Sequence, residues 1–381
     1  MNRVTVRPEL LRWACERAGF DITELAHRIP QLPTWERGEK QPTLKQLEGF
    51  AKATHTPIGY LFLSVPPVER VPIPDFRTVA NESVERASPD LLDTLYMCQQ
   101  RQEWYRGFAR SIGERALAFV GSVRFTDDVV RTAALIRRAM EFDLNERREI
   151  PTWTEALRRF IEQADALGIL VMVSGVVGSD NRRKLDPDEF RGFALADDLA
   201  PLVFINGADA KAAQMFTLAH ELAHIWLGDS ALSDTEASSV PAHQIERWCN
   251  QVAAELLVPL HVLRAEYDRD ADLDRETNRL AKRFKVSALV ILRRIHDAGG
   301  ITSKQLKDAY ASQLELLRKI SKGGGGNFYL TLGARTSKRF ARALVVSTLE
   351  GRSSFSEAFR MLGFKKMTTF KKLGRKFGVA F

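Results

Sequence analysis

The chain has 381 residues, 45% hydrophobic and 27% charged, which allows two or three domains with cores of their own and excludes wholesale disorder or a fibrous repeat. No apolar run approaches the roughly 18–20 residues of a membrane span, and charges scattered through the first twenty residues argue against a signal peptide, so no membrane association is expected. The net charge of +8 is uneven: residues 327–381 hold twelve Lys/Arg against Glu350 and Glu357, which places +10 in that segment and leaves the remainder near −2.

The first 64 residues read as a run of short helices. Pro8 suits a first helical position, with Leu10, Leu11, Ala14 and Ala18 at helical spacing before Gly19. Asp21 and Glu24 predict a capping box over Ile22 to Arg28, and Pro42-Thr43 opens a third stretch through Leu44, Leu47 and Phe50. A proline-rich connector from Pro66 to Thr78 reads as an extended strap. From Ser88 to about Phe142 the pattern is helical, and a further helix is expected from Trp153 to Leu167. After Gly168, three short runs (Ile169–Val173, Phe190–Leu195, Leu202–Ile205) predict a small sheet. Helical patterns resume near Ala210 and run to Lys319, where Ser321–Asn327 (SKGGGGN) forms a glycine joint before the basic tail.

The chemistry concentrates in Phe216-Thr-Leu-Ala-His220-Glu221-Leu-Ala-His224, an H-E-x-x-H pattern within a helical, apolar frame. Side chains at i and i+4 share a helix face, roughly 5–6 Å apart at Cβ, so His220 and His224 can reach one metal ion. Two imidazoles favour Zn²⁺, and Glu221 would stand beside the metal as general base. A third ligand is sought downstream. Glu246 and Asn250 share a face of the next predicted helix, so Glu246 can ligate while Asn250 orients a histidine through its other ring nitrogen. Glu255 lies about 900° further round that helix, on the opposite side, and is the competing ligand. Cys249 and His243 are lesser rivals. His27, His55, His261 and His296 are expected to be satisfied or surface imidazoles.

These residues resemble the ImmA/IrrE-type metallopeptidases: a strand ending in Phe-Ile-Asn206, the His220–His224 helix, then Glu246-x-x-x-Asn250 leading into Ala253-Ala-Glu-Leu-Leu-Val-Pro259. The N-terminal stretch is similar to the Xre-type helix-turn-helix domains often fused ahead of them, and Phe76-Arg77-Thr78 and the glycine-led basic tail resemble the long form of such proteins. The resemblance implies zinc bound by His220, His224 and Glu246, with Glu221 as general base. It also implies a protein substrate of the helix-turn-helix repressor type. One departure stands out. The second helix of a helix-turn-helix reads bases with its first residues, yet here that place holds Pro30 and Pro33, and residues 1–64 carry only +2. DNA reading there competes with docking of a protein, such as a related repressor.

The expected fold is α+β and mostly helical. It comprises a helix-turn-helix-like bundle (1–64), a connector and helical region (65–150), a zincin-like core with a small sheet (151–320) and a basic helical module (327–381). The strand near Phe190–Leu195 is read as an edge that could hold an extended substrate. The expected activity is a cytoplasmic, zinc-dependent regulatory endopeptidase attacking a peptide bond with metal-bound water; the three isolated cysteines suit a reducing compartment. The alternative is a DNA-binding transcriptional regulator or toxin–antitoxin component with a vestigial or sensory peptidase core. In the tail, Lys365, Lys366, Lys371, Lys372 and Arg375 lie on a second basic helix and are candidate nucleic-acid contacts, against a merely solvated basic face.

Overall fold

A computed structural model of the chain describes residues 3–75, 78–79, 82–83, 87–233, 243–319 and 335–379. The glycine joint Ser321–Asn327 and Phe76-Arg77 of the connector lie outside them. The chain divides into two compact units, residues 1–72 with 84–95, and residues 73–83 with 96–381.

The first unit contains α1 (Pro8–Arg17), α2 (Ile22–Arg28), α3 (Leu32–Glu36), α4 (Leu44–Ala53) and a 3-10 turn at Ile58–Phe62. Leu10, Leu11, Leu25, Trp35, Leu47 and Phe50 close its core. The capping box expected at Asp21 does not form. The Asp21 carboxylate instead accepts the Thr23 N–H at 2.7 Å and the Thr23 hydroxyl at 2.6 Å, a local turn that uses its oxygen two residues on. A reciprocal box occurs instead at α4, where Thr43 Oγ1 accepts the Gln46 N–H and Gln46 Oε1 accepts the Thr43 N–H. Helix α3 has only five residues and begins with a proline in its first turn.

The second unit opens with a minimal hairpin, β1 (Thr78–Val79) against β2 (Glu82–Ser83). Helix α5 (Pro89–Ser111) belongs to this unit from Tyr96 onward. The helical stretch expected to reach Phe142 is broken: α6 (Val129–Ala139) begins only after Asp128, whose carboxylate accepts the Arg131 N–H at 2.7 Å and starts a new helix. Helices α7 (Leu144–Glu149) and α8 (Trp153–Leu167) lead into the sheet.

The sheet contains β3 (Leu170–Ser174), β4 (Gly192–Leu195), β5 (Leu202–Asn206) and β6 (Ala231–Ser233), in the order β3-β5-β4-β6. Strand β3 runs parallel to β5, while β4 is antiparallel to both its neighbours. The expectation of an edge strand at Phe190–Leu195 is therefore corrected: β4 is interior, its outer ladder taken by β6. Strand β6 is three residues long, too short to announce itself by alternation. The outer side of β6 meets the connector, where the Leu232 N–H donates to Pro74 O at 2.9 Å and Asp75 forms a parallel bridge with Leu232.

Among the described residues, nine helices follow in two groups. Helices α9 (Lys211–Leu227), α10 (Gln244–Leu257), α11 (Leu260–Glu266), α12 (Leu273–Phe284), α13 (Ala288–Asp297) and α14 (Ser303–Lys319) precede residue 320. Helices α15 (Lys338–Leu349), α16 (Phe355–Leu362) and α17 (Met367–Lys376) complete the described chain. The architecture is α+β and mostly helical. Helix α9 is the centre of the main core: every residue from Gln214 to Trp226 is buried, and Trp226 stacks on Phe119 with ring centroids 4.5 Å apart. A helix covered on all sides shields its polar residues from water, so each polar group on it needs a local partner or a ligand. Among the described residues, no helix is long and apolar enough to cross a membrane.

Candidate metal centre

Helices α9 and α10 pack side by side and bring together the residues that the sequence spacing singles out. One helical turn separates His220 from His224 on α9, and their Nε2 atoms lie 3.1 Å apart. Glu246, in the first turn of α10, places Oε2 3.2 Å from His220 Nε2 and Oε1 3.0 Å from His224 Nε2. All three side chains are buried, and one potential ligand atom from each lies within 4.8 Å of the others. Among the described residues this is the one such His/Cys/Asp/Glu group.

The electrostatics suit a cation. Burial lowers the His220 pKa, holding the ring neutral with a lone pair to donate. Burial also works against ionisation of Glu246, but the two imidazoles outweigh it and keep its carboxyl far below the usual carboxylate range. Two imidazoles and one carboxylate form the donor set that suits a zinc ion with a position left open. Asn250, one turn after Glu246, presents Oδ1 2.8 Å from His220 Nδ1. That contact places the ring proton on Nδ1 and turns the Nε2 lone pair toward the cluster. Replacing Asn250 by Ala is expected to weaken zinc binding 10- to 100-fold in a competitive chelator titration, and unchanged affinity would contradict this role.

The rivals are placed elsewhere. Glu255 is buried in an ion pair with Arg294, and its carboxylate accepts the Leu260 N–H at 3.3 Å. Cys249 is buried, and burial together with Glu246 and Glu221 raises its thiol pKa well above the usual value, so it stays protonated. His243 is exposed at the N-cap of α10.

Glu221 is fully buried beside the cluster, and neither carboxylate oxygen has a hydrogen-bond partner. Burial first and the Glu246 charge second push its carboxyl well above the ordinary range, while the nearby Ser233 hydroxyl opposes them. A carboxyl stripped of water and close enough to feel the Glu246 charge is a candidate for proton exchange there.

Sequence reasoning missed Ser233 and Gly192, which pair across β6 and β4. Gly192 lies against Glu221: a Cβ built on it would meet Thr217 Cγ2 at 2.6 Å, Phe204 O at 2.9 Å and Glu221 Oε1 at 3.1 Å. A glycine inside a strand is the signal that could have pointed to such a close approach. The Gly192→Ala substitution should destabilise the protein by about 1–3 kcal/mol. Urea unfolding would read this as a lower midpoint, and an unchanged midpoint would show that the space is not closed.

Fold and site together define a mostly helical α+β domain with a buried two-histidine, one-carboxylate group that could hold a metal ion and a buried acid beside it. Residues 164–296 match the family model described as the IrrE N-terminal-like domain, so this segment is a domain of the ImmA/IrrE type. The chain is also 36% identical over 122 residues to the radiation response metalloprotease IrrE of Deinococcus radiodurans, an alignment covering 31% of this chain and 36% of that protein. The chain thus spans little more than a third of that relative. Residues 336–376 match a second family model, described as a domain of unknown function.

Proposed function

We propose that the chain is a zinc-dependent endopeptidase acting on a regulatory protein, with a helix-turn-helix repressor as the favoured substrate. One observation carries the reading: three donor atoms converge on a single point, with the hydrogen-bond-free carboxylate of Glu221 next to them. The metalloprotease character of the Deinococcus relative and the ImmA/IrrE-type domain support the same class.

His220, His224 and Glu246 would hold the ion. When bound, the ion supplies a water of lowered pKa and a Lewis acid for the scissile carbonyl. Glu221 takes the proton from the attacking water and delivers it to the leaving amine. Its raised pKa suits the return step, and a dication at the cluster offsets part of that rise during the first. Asn250 fixes the ring of His220, and Gly192 leaves room for the Glu221 carboxylate.

An extended substrate cannot add to β4, which is already paired on both sides. It would approach β6, whose outer side holds Pro74 and Asp75. The first unit is assigned to protein docking in preference to DNA reading, because its α3 is five residues long, begins with a proline in its first turn and buries Leu32 and Trp35. Three buried free cysteines suit work in a reducing cytoplasm.

The test is incubation of the zinc-loaded protein with purified helix-turn-helix repressors, read by mass spectrometry. A defined cut that depends on metal supports the proposal. Intact repressors, together with failure to cut a randomised peptide library, would overturn it.

A further inference from the structure

We propose that residues 338–376 form a second, DNA-binding device, a helix-turn-helix in which α17 is the helix that enters the major groove. Helix α16 is started by Ser354, whose Oγ accepts the Glu357 N–H at 3.1 Å, and it ends at Gly363 with φ of +74°. Four residues, Gly363 to Lys366, then turn the chain into α17. Two helices joined by a short turn with a left-handed glycine are the local signature of this motif.

Packing decides which face of α17 remains outside. Phe370 and Leu373 are buried, and the Phe370 ring meets Phe355 edge-on at 5.4 Å and Phe359 at 5.9 Å. Helix α15 also packs against α17. The positions left exposed are Lys365, Lys366, Met367, Thr368, Lys371, Lys372, Arg375 and Lys376. Six are cationic, and no acid occurs between Gly363 and Val379. The acids of this module lie elsewhere: Glu350 pairs with Arg352 at 3.3 Å, and Glu357 is in the first turn of α16.

The chemistry of that face selects its partner. A ten-residue helix spans about 15 Å, and its cations can reach phosphates on either side of a groove about 12 Å wide. Met367 and Thr368, exposed at the helix start, are the uncharged pair placed to meet base edges, as the first residues of a recognition helix are. Duplex RNA is disfavoured because its deep, narrow major groove does not admit a helix. The function so assigned falls on residues 336–376, which match a family model described as a domain of unknown function, and it uses none of the residues of the His220, His224 and Glu246 group.

The experiment is fluorescence anisotropy of the full chain with a labelled 30-base-pair DNA duplex of mixed sequence, between 50 and 200 mM salt. Four to six phosphate contacts predict a log–log salt slope of about −4 to −5. Exchanging Lys371, Lys372 and Arg375 together for Gln should reduce the slope magnitude by about 3 and weaken binding at least tenfold. The variant with Lys371→Arg and Lys372→Arg should bind like wild type, and circular dichroism should be unchanged in both. Absence of duplex binding at 50 mM salt would overturn the proposal. Equal binding by the Gln variant, or equal affinity for duplex RNA or anionic vesicles, would do so as well. The Glu221→Gln protein should bind DNA like wild type, so this result and the peptidase result can fail separately.

Discussion

The Glu221→Gln protein should retain its zinc and lose its proteolysis. Glutamine fills nearly the same volume in a site where the carboxylate lies close to Gly192, so packing is kept. None of the three ligand atoms is altered, so metal content should equal that of wild type. What disappears is a group able to take a proton from water and return it to the amine, a contribution of about 10²–10⁴ in rate. A substrate-cleavage time course beside metal analysis checks both halves. Full-rate cleavage by the variant would remove Glu221 from the mechanism. Removal of the charge should also spare the fold, since both oxygens of Glu221 are buried without a hydrogen bond and an uncompensated buried carboxylate is costly.

The second large effect separates two glutamates on one helix. Glu246→Ala should abolish zinc binding with limited effect on the fold of the metal-free protein, because it removes a ligand while the neutral His220 ring keeps its Asn250 contact. Glu255→Ala should retain the metal and instead cost up to about 3 kcal/mol of stability, because it removes the buried partner of Arg294 and leaves only the more exposed Asp297 at 3.5 Å. Arg294 also donates from Nε to Val258 O at 2.9 Å, so Glu255 and Arg294 together fix the end of α10. Metal analysis and urea unfolding of the two variants give opposite signatures under this assignment. Zinc lost from the Glu255 variant and kept by the Glu246 variant would reverse it.

Much of this division can be read from the sequence because it is helical. A face repeating every three to four residues places His220 with His224 and Glu246 with Asn250, and puts Glu255 on the far side, before any tertiary contact is known. The mostly helical α+β character follows from the same periodicity and from three short β-prone runs. What escaped reading depends on pairings distant in sequence. That β6 would cover β4, turning an expected edge into an interior strand, requires a three-residue strand to cross a turn and dock, and no local pattern encodes that. The contact of Gly192 with Glu221 and the partnership of Glu255 with Arg294 are likewise products of packing. Asp21 caps its helix as expected, and only the reciprocal box with Glu24 is absent, because a threonine two residues on takes the same carboxylate.

Zinc content of the metal-replete, purified protein, measured beside His220→Ala, bears most directly on the central assignment. About one zinc per chain is expected in the wild type and none in the variant. A wild type without zinc under those conditions would contradict it, leaving His220, His224 and Glu246 as a buried hydrogen-bonded cluster with no metal and no peptidase chemistry.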